Sequence, residues 1–257
     1  MDGIYIGAMG MLSSQNHINT HANNITNVNS NGYKFDTMVS KVFEDKKAYR
    51  NESGNRTFIG DYANKVVDEG TVINLKTGQT KLTNSNLDVA FNDKGSDNVS
   101  FFVVSTNNNK QYLTRNGEFE INEQGQLKTM SGAYVLDENN QSITIPEGTN
   151  PMIDKEGNVR NKETGEIIGK LQTRMISSEE RQNLNKEQSS MFSYMGNLNE
   201  LPRSNSEIQS NTLELSNVDM SKEMVDLMSS QRAFQANQKA FISYDKILDK
   251  EANQLMK

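Results

Sequence analysis

Apolar residues recur every seven positions near both ends of the chain. The C-terminal row consists of Met220, Leu227, Phe234, Phe241, Leu248 and Leu255, with Met224, Gln231, Gln238, Asp245 and Ala252 interleaved. The N-terminal row consists of Ile4, Met11, Ile18 and Ile25, with Ala8, Gln15 and Ala22 interleaved. A narrow apolar stripe at this spacing is typical of helices that pair in a coiled coil. The pattern therefore predicts one helix over residues 1–30 and another over 217–257, which pair as a coiled-coil-like stalk. Periodicity alone is equally consistent with an ordinary domain whose first and last helices pack on one core.

The boundaries of both helices are marked by polar residues. Asn31-Gly32 is a strong turn pair, so the first helix is expected to end near residues 28–30. Ser216 or Asn217 is expected to cap the second helix, which at 1.5 Å per residue would be roughly 60 Å long. Gln15, Gln231 and Gln238 lie at stripe positions, where a polar side chain favours one alignment of paired helices over the others. We expect these glutamines to set the register; the alternative is that they lie at the solvent-exposed edge of the stripe.

The middle of the chain changes from sparse to alternating apolar residues. Residues 31–76 contain few apolar residues and scattered glycines, which predicts an extended linker. Residues 77–200 show short alternating runs, the strongest being SFFVVS at 100–105, and a return linker is expected at 201–216. Asn116-Gly117 predicts a type I′ hairpin, and further turns are predicted at Gly125, Gly132, Gly157 and Gly165. The predicted fold class is α+β, with a central and mostly antiparallel β domain between the two long helices.

Composition and charge argue against several classes of partner and site. The chain has a net charge of -6, no cysteine and a mean hydropathy of -0.74. The absence of a basic run argues against nucleic acid as a partner, and no apolar run is long enough to insert into a membrane. No cleavable secretory signal is recognised at the N-terminus. Without cysteine the chain has neither disulfides nor thiolate sites.

The residues that could perform chemistry do not form a recognisable site. His17 and His21 lie at helical spacing i and i+4, which suits a metal, but the sequence offers no third ligand beside them. The segments NDKGSDN, DENNQ and DKEGN do not have the spacing of a calcium loop, and GEIIGK lacks that of a phosphate loop. We therefore predict no enzyme, and no catalytic, cofactor-binding or metal-binding residues.

Three motifs, in order, resemble those of the bacterial flagellar rod and hook proteins. The first is Gly10-Met11 followed by ANNITNVNSNGYK at 22–34, in which Thr26 departs from the alanine common in that family. The second comprises LDVAF at 87–91, FFVV at 101–104 and YLTRNGEFEINEQGQLKTMSGAYVL at 112–136, with a lengthened turn, NDKGSDNVS, before FFVV. The third is LELSNVDMSKEMVDLMSSQRAFQANQKAF at 213–241. The length is similar to that of the short rod proteins.

The resemblance implies a structural subunit of the flagellar basal-body rod that polymerises through its terminal helices into the axial drive shaft for motility. The partners it implies are copies of the chain, other rod and hook subunits and the flagellar type III export apparatus. It also implies terminal helices that order only on assembly. The expected assembly interface, from the motifs and the stripes, consists of Ile4, Met11, Ile18, Ala22, Asn23, Asn24, Ile25, Asn27, Val28, Gly32, Ser216, Asn217, Val218, Met220, Met224, Leu227, Gln231, Arg232, Phe234, Asn237, Phe241 and Leu248.

Two alternatives remain open on the sequence. The chain could be another axial subunit, such as a short hook-type protein, because one sequence does not distinguish positions along the axis. It could also be a secreted β domain on a coiled-coil stalk that binds a carbohydrate or a metal. Outward-facing aromatic residues in a groove would favour the second alternative.

Overall fold

A computed structural model describes residues 2–42, 45–52, 55–63, 66–93, 97–187 and 190–255 of the chain. The chain forms two units. The helical unit comprises residues 1–26, 36–74 and 219–257, and the β unit comprises residues 27–35 and 75–218. Helices and antiparallel strands together confirm the predicted α+β class.

The helical unit contains helices α1 (Asp2–Thr26) and α2 (Met220–Leu255). The two helices run antiparallel, because Gly7 lies against Phe241 whereas His21 bonds to Glu223. The prediction of one helix near each end is thus confirmed. The first helix ends at Thr26, and the main-chain N–H of Ser30 donates to the carbonyl of Asn27 in the turn that follows.

The start of α2 differs from the prediction. The cap is Asp219, whose Oδ1 accepts the main-chain N–H groups of Ser221 and Lys222 at 3.0 and 3.1 Å. Neither Ser216 nor Asn217 caps the helix. The Asn217 side chain instead accepts the main-chain N–H of Phe35 at 2.9 Å, so it is engaged within the β unit.

The helical unit also contains two antiparallel ladders. Strand β1 (Asp36–Val42) pairs with β4 (Val66–Ile73), and β2 (Asp45–Glu52) pairs with β3 (Asn55–Ala63). Sparse apolar residues predict a linker here, but main-chain hydrogen bonds form these ladders and need no apolar side chains. Asp68 of β4 ties the first ladder to α1, because it accepts hydrogen bonds from Ser13 and Asn16 at 2.8 and 2.7 Å.

The β unit is built from short strands. They are β5 (Thr80–Leu82), β6 (Val89–Asn92), β7 (Val99–Ser105), β8 (Gln111–Thr114), β9 (Phe119–Ile121), β10 (Leu127–Thr129), β11 (Tyr134–Val135), β12 (Pro151–Ile153), β13 (Asn158–Asn161), β14 (Ile167–Lys170), β15 (Thr173–Ile176), β16 (Leu184–Lys186), β17 (Met191–Tyr194), β18 (Glu207–Ser210) and β19 (Thr212–Glu214). Two short 3-10 helices, Glu180–Asn183 and Leu198–Glu200, lie among them.

Strand β7 is the centre of the largest sheet. The order of that sheet is β16-β17-β8-β7-β11-β10-β9, and β15 also pairs with β7. Every residue of β7 is buried, which explains why SFFVVS is the strongest apolar run in the sequence. Phe102 of β7 stacks on Phe91 of β6 with ring centroids 4.2 Å apart, and both belong to the main apolar core.

The turns of the β unit agree with the prediction in four places and differ in one. Gly125, Gly132, Gly157 and Gly165 all have positive φ, as turn glycines often do. Asn116-Gly117 does not form a type I′ hairpin, because neither residue has positive φ and β8 does not pair with β9. The backbone of Gly117 instead lies against Val89, whose N–H donates to the Gly117 carbonyl at 3.0 Å. Of the lengthened turn before FFVV, residues 94–96 lie outside the described part of the chain.

Residues 201–216, expected as a return linker, contain two strands of the β unit. Strand β18 pairs with β6, and β19 pairs with β5. Ile208 and Leu213 are buried there. Polar residues separate these two apolar positions, so the sequence shows no clear alternation that would predict the two strands.

Candidate functional site

Four charged side chains meet inside the β unit, and three of them come from the three motifs. Lys34 follows the N-terminal motif turn, Arg115 follows β8, and Glu214 ends β19. Asp93 follows β6 and completes the group. We call Lys34, Asp93, Arg115 and Glu214 the motif junction. Lys34, Arg115 and Glu214 are each at most 1% exposed.

Glu214 is the centre of the motif junction. Its Oε1 accepts hydrogen bonds from Lys34 Nζ at 2.6 Å and from the Gly78 main-chain N–H at 2.8 Å. Its Oε2 accepts from Arg115 Nε at 2.8 Å. Arg115 Nη2 also lies 2.6 Å from Oε2 as an ion pair, although it is not aligned for a hydrogen bond. Both carboxylate oxygens therefore have donors, as a buried charge requires.

Arg115 joins Glu214 to the strands around it. Its Nη1 donates to Asp93 Oδ2 at 2.5 Å and to the Ser100 carbonyl at 2.6 Å. Asp93 in turn accepts the hydroxyl of Ser100 at 2.8 Å. The guanidinium also lies over the ring of Phe91, with its carbon 5.2 Å from the ring centroid. Arg115 thus holds β6, β7 and β19 together.

The charges of the motif junction balance at neutral pH. Burial lowers the pKa of Lys34 to about 8 against the opposing effect of Glu214, so Lys34 remains protonated at pH 7. Burial opposes ionisation of Glu214, but Arg115 and Lys34 outweigh it and hold the pKa of Glu214 below its usual value. For Asp93, burial is likewise outweighed, chiefly by Arg115, and its pKa is lowered. Two cations therefore face two carboxylates.

Two glycines allow the main chain to close around the motif junction. The N–H of Gly32 donates to the Glu214 carbonyl at 2.7 Å, with φ at +68°. A Cβ on Gly32 would lie 2.4 Å from the main-chain nitrogen of Asn116, and one on Gly78 would lie 2.1 Å from the Leu215 carbonyl oxygen. Neither position has room for a side chain.

A second polar cluster lies between α1 and α2. Asn24 is fully buried; its Nδ2 donates to the Asp36 carbonyl at 2.8 Å, and its Oδ1 accepts the Asp36 N–H at 3.0 Å. Glu223 of α2 accepts from Asn24 at 3.2 Å and lies 2.7 Å from His21 Nδ1. Asn24 therefore fixes the start of β1 and also contacts α2.

Both histidines, His17 and His21, contact other side chains of the helical unit. His21 contacts Glu223, and His17 Nε2 lies 3.3 Å from the Ser40 hydroxyl. In the described part of the chain, no three His, Cys, Asp or Glu side chains cluster so as to hold a metal ion. None of the helices within that part has the length and apolar character needed to cross a membrane.

The expected interface residues fall into three groups by burial. Asn24 and Gly32 are buried, and each bonds within its own unit. The half-buried group consists of Ile4, Met11, Ile18, Ile25, Asn27, Val28, Ser216, Asn217, Val218, Leu227, Phe234, Asn237 and Phe241. The exposed group consists of Ala22, Asn23, Met220, Met224, Gln231, Arg232 and Leu248.

The helix pair uses only part of the expected stripe. Along α2, the half-buried positions Leu227, Phe234 and Phe241 alternate with Glu223, Ser230 and Asn237. Met224, Gln231 and Gln238 are exposed instead. The row of Leu227, Phe234 and Phe241 therefore faces α1, as predicted. The residues that alternate with it on this face are Glu223, Ser230 and Asn237, each one position before the predicted residue. Asn237 Nδ2 reaches the Ser14 hydroxyl at 3.4 Å.

The sequence patterns do not predict the motif junction, although three of its four residues lie in the motifs. Glu214 stands between Leu213 and Leu215, where alternation alone would turn it towards solvent. Arg115 directly follows a strand with buried residues. A charged residue placed within or beside an apolar strand was the one available indication. The structure thus defines a protein in which segments that lie towards both ends of the chain pack together in the β unit.

Comparisons with known proteins identify the family to which the sequence is similar. Residues 97–161 match the family described as flagellar hook protein FlgE/F/G D1 domain, and residues 209–255 match flagellar basal body rod FlgEFG protein C-terminal. The flagellar hook-basal body complex protein FlhP of Bacillus subtilis is 30% identical, over 91% of this chain and 92% of its own length. The rod protein FlgF of Caulobacter vibrioides is 28% identical over 91% and 90%, and FlgG of Bacillus subtilis is 27% identical over 97% of both chains.

The chain belongs to the flagellar basal-body rod protein family. The resemblance seen in the three motifs is thereby confirmed. The matched segments include Arg115 and Glu214 of the motif junction as well as all of α2.

Proposed function

We propose that the chain is a structural subunit of the flagellar basal-body rod, and that exposed faces of its helices contact copies of itself and neighbouring rod and hook subunits. The role in the basal body follows from the family, whose members include FlgF and FlgG, both named as rod proteins. We infer the contacts between subunits from the helices. In the same proposal, the antiparallel pair of α1 and α2 forms a coiled-coil-like stalk that packs against stalks of other subunits.

The observation that supports subunit contacts is an apolar row left exposed on α2. Met220, Met224 and Met228 recur every four residues, and their exposed fractions are 44%, 40% and 50%. Residues at this spacing lie on one side of a helix. Fully burying one such side chain stabilises an interface by about 1.5–3 kcal/mol. Methionine also adapts to irregular surfaces, which suits contact with more than one kind of neighbour.

The other end of α2 has a second apolar area. Tyr244, Ile247 and Leu248 are 48%, 51% and 40% exposed. A contact that joins two different surfaces of neighbouring copies does not close on itself, so it propagates into a filament. We propose that these two areas of α2 take part in such a contact, and that the subunit reaches the rod through the flagellar type III export apparatus.

The test is replacement of the exposed methionines in the source bacterium. The Met224→Gln/Met228→Gln variant is expected to lose incorporation into basal bodies, while the β unit of the isolated chain keeps its melting temperature. Met195→Gln is the matched control, because Met195 is 72% exposed but lies in the β unit.

Electron microscopy of purified basal bodies from a gene-deletion strain supplies the readout. We expect structures that stop before the hook when the gene is absent, and complete ones when the wild-type or Met195→Gln chain is restored. Complete hooks in the deletion strain would contradict the rod role. Normal incorporation of the Met224→Gln/Met228→Gln variant would contradict only the proposed contact surface.

A further inference from the structure

A groove of about 620 Å³ lies in the β unit beside the turn of the N-terminal motif. Its apolar part is formed by Val28, Leu213 and Leu215. The polar and charged residues that line it are Asn29, Asn31, Lys81, Thr83, Asp88, Glu118 and Ser216. Val28, Leu213 and Ser216 belong to the first and third motifs, whereas Asp88 belongs to the second. All three motifs therefore contribute to one groove.

Asp88 is a largely buried residue whose carboxylate lines the groove. Its residue is only 7% exposed. Across the described ranges of the chain, its carboxylate makes neither a hydrogen bond nor an ion pair. In the described part of the chain its oxygens are not enclosed by protein, so they are open to the groove and accessible to a donor from outside the chain.

A second carboxylate, that of Glu118, also lines the groove and offers an acceptor. Glu118 Oε2 accepts from Asn31 Nδ2 at 2.9 Å, which leaves its second oxygen free for another donor. Lys81 is exposed and contributes one positive charge against the two carboxylates. The groove therefore favours a ligand that is positively charged and rich in N–H donors.

We propose that this groove receives a lysine or arginine side chain from a neighbouring subunit. The proposal rests on the proposed function, because the neighbour is another subunit of the rod. The aliphatic stem of the side chain would pack on Val28, Leu213 and Leu215, while its charged end donates to Asp88 and Glu118. A metal ion would gain nothing from the apolar part of the groove, and the two carboxylates fall short of the ligand number that Ca²⁺ prefers.

The first test is Asp88→Asn, with Glu123→Gln as the matched control because Glu123 is an exposed acid of the same unit outside the groove. The isolated Asp88→Asn chain is expected to melt at the wild-type temperature or above it, since the lost charge has no partner within the chain. Its amount in purified basal bodies is expected to fall by roughly tenfold or more. The control is expected to change neither quantity.

Two results would overturn the proposal. The first is incorporation of Asp88→Asn at the wild-type level. The second is a lower melting temperature for the isolated Asp88→Asn chain, which would show that Asp88 serves the fold of its own chain. If the wild-type chain itself is absent from basal bodies, the proposed function fails instead.

A second measurement identifies the occupant. A photo-crosslinking amino acid at position 83 in assembled basal bodies is expected to capture a subunit peptide next to a lysine or arginine. Capture of a peptide without either residue, or no capture at all, would count against the proposal. Calcium chloride is the other probe: if it raises the melting temperature of the wild-type chain but not of Asp88→Asn, the groove is a metal site and the proposal is wrong.

Discussion

Replacing Glu214 by glutamine tests whether the motif junction holds the β unit together. Glutamine keeps the size of the side chain and one acceptor oxygen, but it removes the negative charge. Lys34 and Arg115 would then face Asp93 alone, which leaves one buried positive charge uncompensated. The change also turns an NH2 group towards donors that one carboxylate oxygen now accepts, with little change in size.

The expected cost is large because all the groups are buried. Removing one partner of a buried ion pair costs about 3–5 kcal/mol. For a unit of this size, each kcal/mol lowers the melting temperature by about 2–4 °C, so Glu214→Gln is expected to lower it by roughly 6–20 °C. Addition of Lys34→Met removes the excess cation and is expected to restore at least half of that loss.

The assay is thermal unfolding of the purified chain at neutral pH, followed by circular dichroism in the β region. Glu163→Gln serves as the control, because Glu163 is an exposed acid of the same unit. A fall of less than about 2 °C for Glu214→Gln would refute the central role of this carboxylate. A double variant less stable than Glu214→Gln would refute the charge-balance explanation.

Three further outcomes are expected. In chemical denaturation, Gly32→Ala should lower the free energy of unfolding by about 1–3 kcal/mol more than Gly132→Ala does. Both glycines have positive φ, but only a Cβ on Gly32 would clash with neighbouring main-chain atoms. Equal losses for the two variants would disprove the clash. Because the folded pKa values of Glu214 and Asp93 are lowered, the stability they supply is complete above their unfolded values of 4.5 and 3.8 and is lost as pH falls through the folded values. Urea midpoints of the wild type should thus fall more steeply than those of Glu214→Gln below about pH 4.5, and parallel curves would contradict this. Phe241→Ala should abolish swimming while the β unit keeps its melting temperature, and normal motility would exclude a role for the apolar row.

Much of the fold follows from local patterns in the sequence. The run at 100–105 predicts the central strand, because a strand that is buried on both faces has apolar residues at successive positions rather than at every second one. The seven-residue row gives the helix pair because Phe234 and Phe241 must meet a partner every second turn. By contrast, the hairpin predicted at Asn116-Gly117 fails because Gly117 packs on Val89, a contact that turn propensity does not include.

The motif junction could not be predicted from any local pattern. Lys34 and Glu214 are 180 positions apart, and each is an ordinary charged residue in its own segment. Only the folded β unit shows that they share a hydrogen bond. Asp88 is similar, because the groove that it lines is shared with Val28, Leu213 and Leu215, which come from both ends of the chain.

The separation of Lys34 and Glu214 has a consequence for the order in which the protein can fold. A newly made chain that stops short of residue 214 holds Lys34 and Arg115 without their shared counter-charge, and it also lacks β19. Contacts between such distant positions form late and slowly, since a long loop must close first. The β unit is therefore expected to stay open until nearly the whole chain has emerged, and then to close in a single late step.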